Sequence, residues 1–140
     1  MLDIEDVGMD EFRETLSYFE KNFPRESKKM MNRVGTRIRA IIKKKANQVV
    51  DKKTGNYYKS IKKGRVFESG YKELTVRVFP SYKIAPHAHL IEKGHRNVGK
   101  DGSENGYTPG KYIFDKAGRE IDSLYTKIVE KELDKAFKKL

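Results

Sequence analysis

The chain has 140 residues, enough to bury a core, and is expected to form a single domain. Hydrophobic and charged residues each make up 36%, and mean hydropathy is −0.81, which fits a small core under long charged helices or an assembly subunit. The absence of cysteine excludes disulfides and thiolate metal sites.

No apolar run approaches the roughly 18–20 residues that cross a bilayer, so no membrane partner is expected. The start, Met1-Leu2-Asp3-Ile4-Glu5-Asp6, is acidic and lacks the apolar stretch of a secretory signal. Synthesis in the cytosol is expected. The net charge of +11 is unevenly placed. Residues 1–24 carry 2 basic and 7 acidic side chains, net −5, whereas residues 25–65 carry 15 and 2, net +13. Residues 66–140 add +3. A basic block of this kind attracts nucleic acid or an acidic protein surface, or is a solvated helix face.

The acidic segment Asp10–Phe23 sets Phe12, Leu16, Phe19 and Phe23 on one helical stripe, interrupted by Pro24. A second helix is predicted from about Arg25 to Val49, with Met31, Val34, Ile38, Ile41 or Ile42, and Ala46 inward. Lysines and arginines surround that line, and Gly35 in its middle costs about 1 kcal/mol against Ala. Asp51–Gly55 ends the helix, with Thr54 as a turn or N-cap residue. Tyr57–Phe67 reads as a helical turn leading into a strand, and Glu68-Ser69-Gly70-Tyr71 as a hairpin connection. Leu74, Val76 and Val78 alternate with Thr75, Arg77 and Phe79 as in a half-buried strand.

Pro80 and Pro86 bracket a loop, and a further strand is predicted to start near His87. Residues 94–110 hold five glycines and read as a long flexible loop, a candidate contact element. They match neither the Walker nor the dinucleotide glycine pattern, so no nucleotide site is expected. Tyr112–Leu140 is the last helix, with Phe114, Ala117, Ile121, Leu124, Ile128, Leu133, Phe137 and Leu140 as its stripe. The order predicts an α+β fold. Two N-terminal helices, the second long and basic, precede a small antiparallel sheet of three to four strands, and a long C-terminal helix packs on the sheet.

His87-Ala88-His89-Leu90-Ile91-Glu92-Lys93-Gly94-His95 holds all three histidines. On a strand, His87 and His89 would share a face and could share a metal, with Glu92 or His95 as a third ligand. Glu92, three positions from His89, would point the other way, and the helical His-Glu-x-x-His arrangement is absent. No catalytic residue, metal or cofactor is therefore assigned. A metal-dependent hydrolase built on His87, His89 and Glu92 ranks as the third reading of the chain. The favoured one has the histidines at a surface and Glu92 fixing the turn before Gly94.

Three stretches together resemble the HK97 gp10-like family of tailed-phage and prophage head–tail connector proteins. They are Thr54-Gly55-Asn56-Tyr57-Tyr58-Lys59-Ser60-Ile61, Ala88-x-x-Ile91-Glu92-x-Gly94-His95-Arg96, and Pro109-Gly110-Lys111-Tyr112-Ile113-Phe114-x-x-Ala117. The likeness runs from about residue 10 onward. Tyr57, His87, His95 and Ile113 stand where the family usually has Leu, Tyr, Thr and Phe. The resemblance implies a structural, non-enzymatic subunit of the neck or of tail completion, assembled in the host cytoplasm and carried in the virion. Its implied partners are its own copies in a ring, with head-closure, tail-completion or tail-tube proteins beside it. Thr54, Gly55, Ser60, Ala88, Glu92, Gly94, Pro109 and Ala117 form the fold signature. The acidic start and the basic block suit head-to-tail contacts that close a ring. Arg33, Arg37, Lys43, Lys44, Lys45, Lys62 and Lys63 are the candidates to touch an acidic partner or, without sequence preference, packaged DNA. A stand-alone nucleic-acid-binding protein is the second reading, with Tyr57, Tyr58 and Phe67 interleaved among the cations.

Overall fold

A computed structural model of the chain describes residues 4–49, 55–70 and 73–140. Pro24 sets where the first two helices meet. α1 (Ile4–Asn22) hands over to α2 (Pro24–Val49) through the Phe23 N–H on the Phe19 C=O at 2.8 Å and the Ser27 N–H on the Phe23 C=O at 2.9 Å. Proline is tolerated there because the first turn of a helix leaves its N–H groups free. Thr54 and Tyr71 lie outside the described residues.

After Gly55, which takes the left-handed conformation at φ 69°, α3 (Asn56–Ser60) leads straight into β1 (Ile61–Lys63). β1 pairs antiparallel with β4 (Val78–Pro80), and β2 (Phe67–Glu68) with β3 (Leu74–Thr75). The Gly64 N–H on the Arg77 C=O at 2.8 Å joins the two ladders. The register slips by one residue between Lys63↔Val78 and Phe67↔Thr75, so the first arm carries one extra residue and the ribbon bends. The expected strand Leu74–Phe79 is therefore split. Its alternation survives in half-buried Leu74, Val76 and Val78 against exposed Arg77 and Phe79.

Two expected elements differ. The strand placed near His87 is a helix, α4 (Ala88–Lys93). Ala88 and Ile91, three apart, both reach the same apolar cluster, a helical spacing that the His–Ala–His–Leu alternation masked. Residues 94–110, expected as a long flexible loop, contain an antiparallel hairpin of β5 (Gly94–Val98) and β6 (Glu104–Pro109). Its turn is closed by the Gly99 N–H on the Ser103 C=O at 2.7 Å and by Asp101 Oδ1, which accepts from the Ser103 N–H at 3.1 Å.

α5 (Ile113–Lys138) runs antiparallel along α2, as the Arg33–Glu132 and Lys45–Glu120 pairs require. Among the described residues the antiparallel pairing is present, divided among three two-stranded ladders. α5 meets the β1–β4 ladder through its first turns, while most of its length lies on α2. Two apolar clusters result. One gathers Ile42 and Ala46 of α2 with Tyr57, Ile61, Ala88, Ile113 and Ala117. The other gathers Met30 and Val34 of α2 with Phe19, Ile128, Val129, Leu133 and Ala136. Leu124, Phe137 and Leu140, expected inward, are exposed, because the buried face of α5 is turned toward Val129 and Ala136.

Candidate assembly surface and the joint behind it

Ser60, Ala88, Glu92, Gly94, Pro109 and Ala117 lie at or beside one joint, while Gly55 opens α3. Ala88 and Ala117 are fully buried in the first cluster beside Ile61. Ser60 is buried there too, its hydroxyl donating to the Tyr57 C=O at 2.5 Å. A helix end leaves four carbonyls without partners, and α4 has all four satisfied. The Leu90 C=O takes the Gly94 N–H, Ile91 takes Lys111 at 2.7 Å, Glu92 takes Tyr112 at 3.0 Å, and Lys93 takes the Tyr107 hydroxyl at 2.9 Å. The favour is returned by the Glu92 side chain. Its carboxylate accepts the Phe114 N–H at 2.8 and 3.1 Å, capping the positive end of α5 from 22 positions away in sequence.

This crossing is glycine-dependent. A Cβ on Gly94 (φ 87°) would sit 2.6 Å from the Thr108 carbonyl oxygen, and one on Gly110 would sit 2.4 Å from that of Glu92. Pro109 faces Gly94 across the β5–β6 ladder. Burial raises the Glu92 carboxyl above the usual carboxylate value, the amides of Phe114, Asp115 and Ile113 lower it in part, and the charge of Asp115 adds to the rise. Burial, then the charge of Glu92, pushes the Tyr57 hydroxyl up as well.

The structure divides the basic candidates. Arg33 and Arg37 turn inward to α5, where buried Glu132 receives them at 3.0 and 3.4 Å, with Lys135 at 3.7 Å. Lys45 pairs with Glu120 at 3.3 Å. These three hold helices together. Lys63 bonds Asn32 of α2. Lys43 lies over the Tyr58 ring, 4.6 Å from its centroid, a cation–π contact. Burial, and after it the charges of Arg39 and Lys62, lower the Lys43 pKa, so these three cations are close enough to feel one another. Lys44 and Lys62 are exposed. Arg39, whose Nε donates to the Ile61 C=O at 2.8 Å, was missing from the sequence candidates, although its spacing of four from Lys43 places both on one helix face.

The histidines are not brought together as a ligand set. His87 and His95 line a cleft of about 340 Å³ with Leu90, Ile91 and Lys111, while His89 meets the Tyr82 ring edge-on at 6.2 Å. The shared face expected for His87 and His89 belongs to a strand, and the helix separates them. Glu92 is committed to Phe114. Among the described residues no group of three or more His, Cys, Asp or Glu side chains is placed to hold a metal.

The polar centre of this small α+β chain is a helix-capping joint. Residues 10–94 match the HK97-gp10-like family model, described as "Bacteriophage HK97-gp10, putative tail-component", and the chain belongs to that family. The match includes the first signature stretch and the second as far as Gly94, and stops before His95-Arg96 and Pro109–Ala117. No curated protein and no solved structure matches the chain. No helix of the described residues is long and apolar enough to cross a membrane.

Proposed function

We propose that the chain is a non-catalytic structural subunit of a tailed-phage or prophage virion, acting in the neck at the head–tail joint or in tail completion as one member of a homo-oligomeric ring. The observation that carries this reading is the family membership over residues 10–94. The chemistry of the joint supports it, because the Glu92 carboxylate and the carbonyls of α4 are spent on holding α4, β6 and α5 in register. The charge separation between residues 1–24 and 25–65 supplies complementary surfaces for contact between copies. The β5–β6 arm, with Arg96 and Tyr107 exposed, serves as a further contact element toward head-closure, tail-completion or tail-tube proteins. On this reading the chain assembles in the host cytoplasm and ends in the virion. Electron microscopy and sedimentation of the purified chain, alone and with neighbouring neck proteins, should show rings, and mass spectrometry should find the chain in virions. Monomers under every condition would overturn the ring.

The Arg39–Lys43–Lys62 cluster beside exposed Tyr58 favours a second reading, sequence-independent contact with DNA. A salt titration of duplex binding decides it. Affinity that falls steeply with salt and drops in a Lys43→Glu/Lys62→Glu variant supports it, and no binding at low salt removes it.

A further inference from the structure

Besides the cleft at the joint, the structure holds an open groove of about 360 Å³ between α2 and α5. Its floor is apolar: Ala40 and Ile41 from α2, Leu124 and Ile128 from α5. Ala40 and Leu124 are exposed there, so the two longest helices leave part of their shared seam uncovered. The rim is cationic, formed by Arg37, Lys127 and Lys131. Arg37 is partly engaged by Glu132, whereas the Lys127 and Lys131 side chains stand exposed. None of the lining residues comes from α1.

A groove with an apolar floor and a basic rim takes an amphipathic, acidic helix. The chain makes one. α1 starts at Ile4, and its first half carries Glu5, Asp6, Asp10, Glu11 and Glu14 against a single Arg13. Asp10, Glu11 and Glu14 are exposed, and the sequence puts Ile4 and Val7 ahead of them. From this complementarity we infer that the α2–α5 groove receives the acidic first half of α1 from a second copy of the chain. Donor segment and acceptor groove are different surfaces, so each copy offers one of each, and the contact is head-to-tail. The inference rests on the ring reading and gives that ring its residues. Charge steers the approach, and burial of Leu124 and Ala40 supplies the non-directional part of the attraction.

The test uses the full-length chain and a fluorescent peptide of residues 1–15. Saturable binding that weakens at least tenfold when salt is raised from low to several hundred millimolar is expected. A Lys127→Glu/Lys131→Glu variant, whose altered positions are both exposed, should keep its thermal melt and lose peptide binding by tenfold or more. A peptide bearing Asp10→Lys, Glu11→Lys and Glu14→Lys should bind that variant better than it binds the original chain. Absence of peptide binding, or equal binding to both proteins, would overturn the groove assignment. Sedimentation of the unaltered chain runs in parallel and reports on the ring itself. Rings that persist in the Lys127→Glu/Lys131→Glu variant would sink the groove while leaving the ring standing.

Discussion

Glu92 shows how one side chain can tie together distant parts of a short chain. Its carboxylate caps α5 while its own backbone carbonyl is capped by Tyr112. Removing the acceptor orphans the Phe114 N–H, and an N-cap loss of this kind costs about 1–2 kcal/mol. Glu92→Ala should therefore lower the unfolding free energy measured in urea by that amount at neutral pH, whereas Glu92→Gln, which keeps an acceptor oxygen, should lose well under half of it. The sign of the pH effect follows from the raised carboxyl. The folded chain holds this proton more tightly than the unfolded one. The contribution to stability is thus fully present below the ordinary value of 4.5 and is lost as pH rises through the raised folded value. Denaturation series from pH 4 to 7 should show Glu92→Gln gaining on the unaltered chain as pH rises, and parallel curves would refute this. Glu132 is held by cations rather than by amides. It is 3% exposed in its side chain and is met by Arg33, Arg37 and Lys135, so Glu132→Gln leaves two guanidinium groups facing a neutral amide. A cost of about 2–3 kcal/mol in chemical denaturation is expected, short of a fully buried pair because both arginines stay partly solvated.

Among the elements, α2 is the one whose sequence oddity the structure explains. Gly35 weakens a helix by its propensity, yet it is buried where the β-ribbon crosses, and a Cβ there would lie 2.9 Å from both Lys63 Cδ and Val76 Cγ2. Gly118 on α5 has nothing within 4 Å of the same imagined atom. The two alanine substitutions should then differ in sign. Gly118→Ala should stabilise by about 0.5–1 kcal/mol through helix propensity. Gly35→Ala should destabilise by about 1–2 kcal/mol, since the stiff Val76 must move. Thermal melts of the pair check this directly.

The same contrast marks what the sequence made legible. The helices α1, α2 and α5 were readable because each is long enough for its period to repeat several times, and Pro24 marks a boundary in letters. α4 was not, because six residues hold less than two turns and His-Ala-His-Leu alternates like a strand. The β5–β6 hairpin was hidden by its glycines, which signal loops in general and tight crossings only when a partner backbone is known. Of the candidate contact residues, all chosen on charge, Lys44 and Lys62 are exposed and Lys43 lies over the Tyr58 ring. Nothing local in the sequence indicates that Arg33, Arg37 and Lys45 face α5, since their partners Glu132 and Glu120 lie 75 or more positions away among charges of both signs.

Over the whole molecule, the net +11 is less informative than its layout. On the ring reading proposed above, a chain this basic repels its own copies unless they meet through unlike patches, and the net −5 of residues 1–24 offers one. The structure also has a mechanical side. α2 threads both apolar clusters, and Ile38 near its middle packs against each. Such an element opens only when both clusters open together, whereas the β5–β6 arm is held chiefly at its base. Native-state hydrogen exchange should therefore separate the chain into two cooperative layers. Amides around Ile38 and Ile42 should exchange only through global unfolding, with the full urea dependence, while those of Arg96 and Tyr107 should exchange through small, nearly urea-independent openings. On the assembly reading proposed above, such a chain would re-aim its arm on a neighbour while its helical spine stays as rigid as its folding free energy allows.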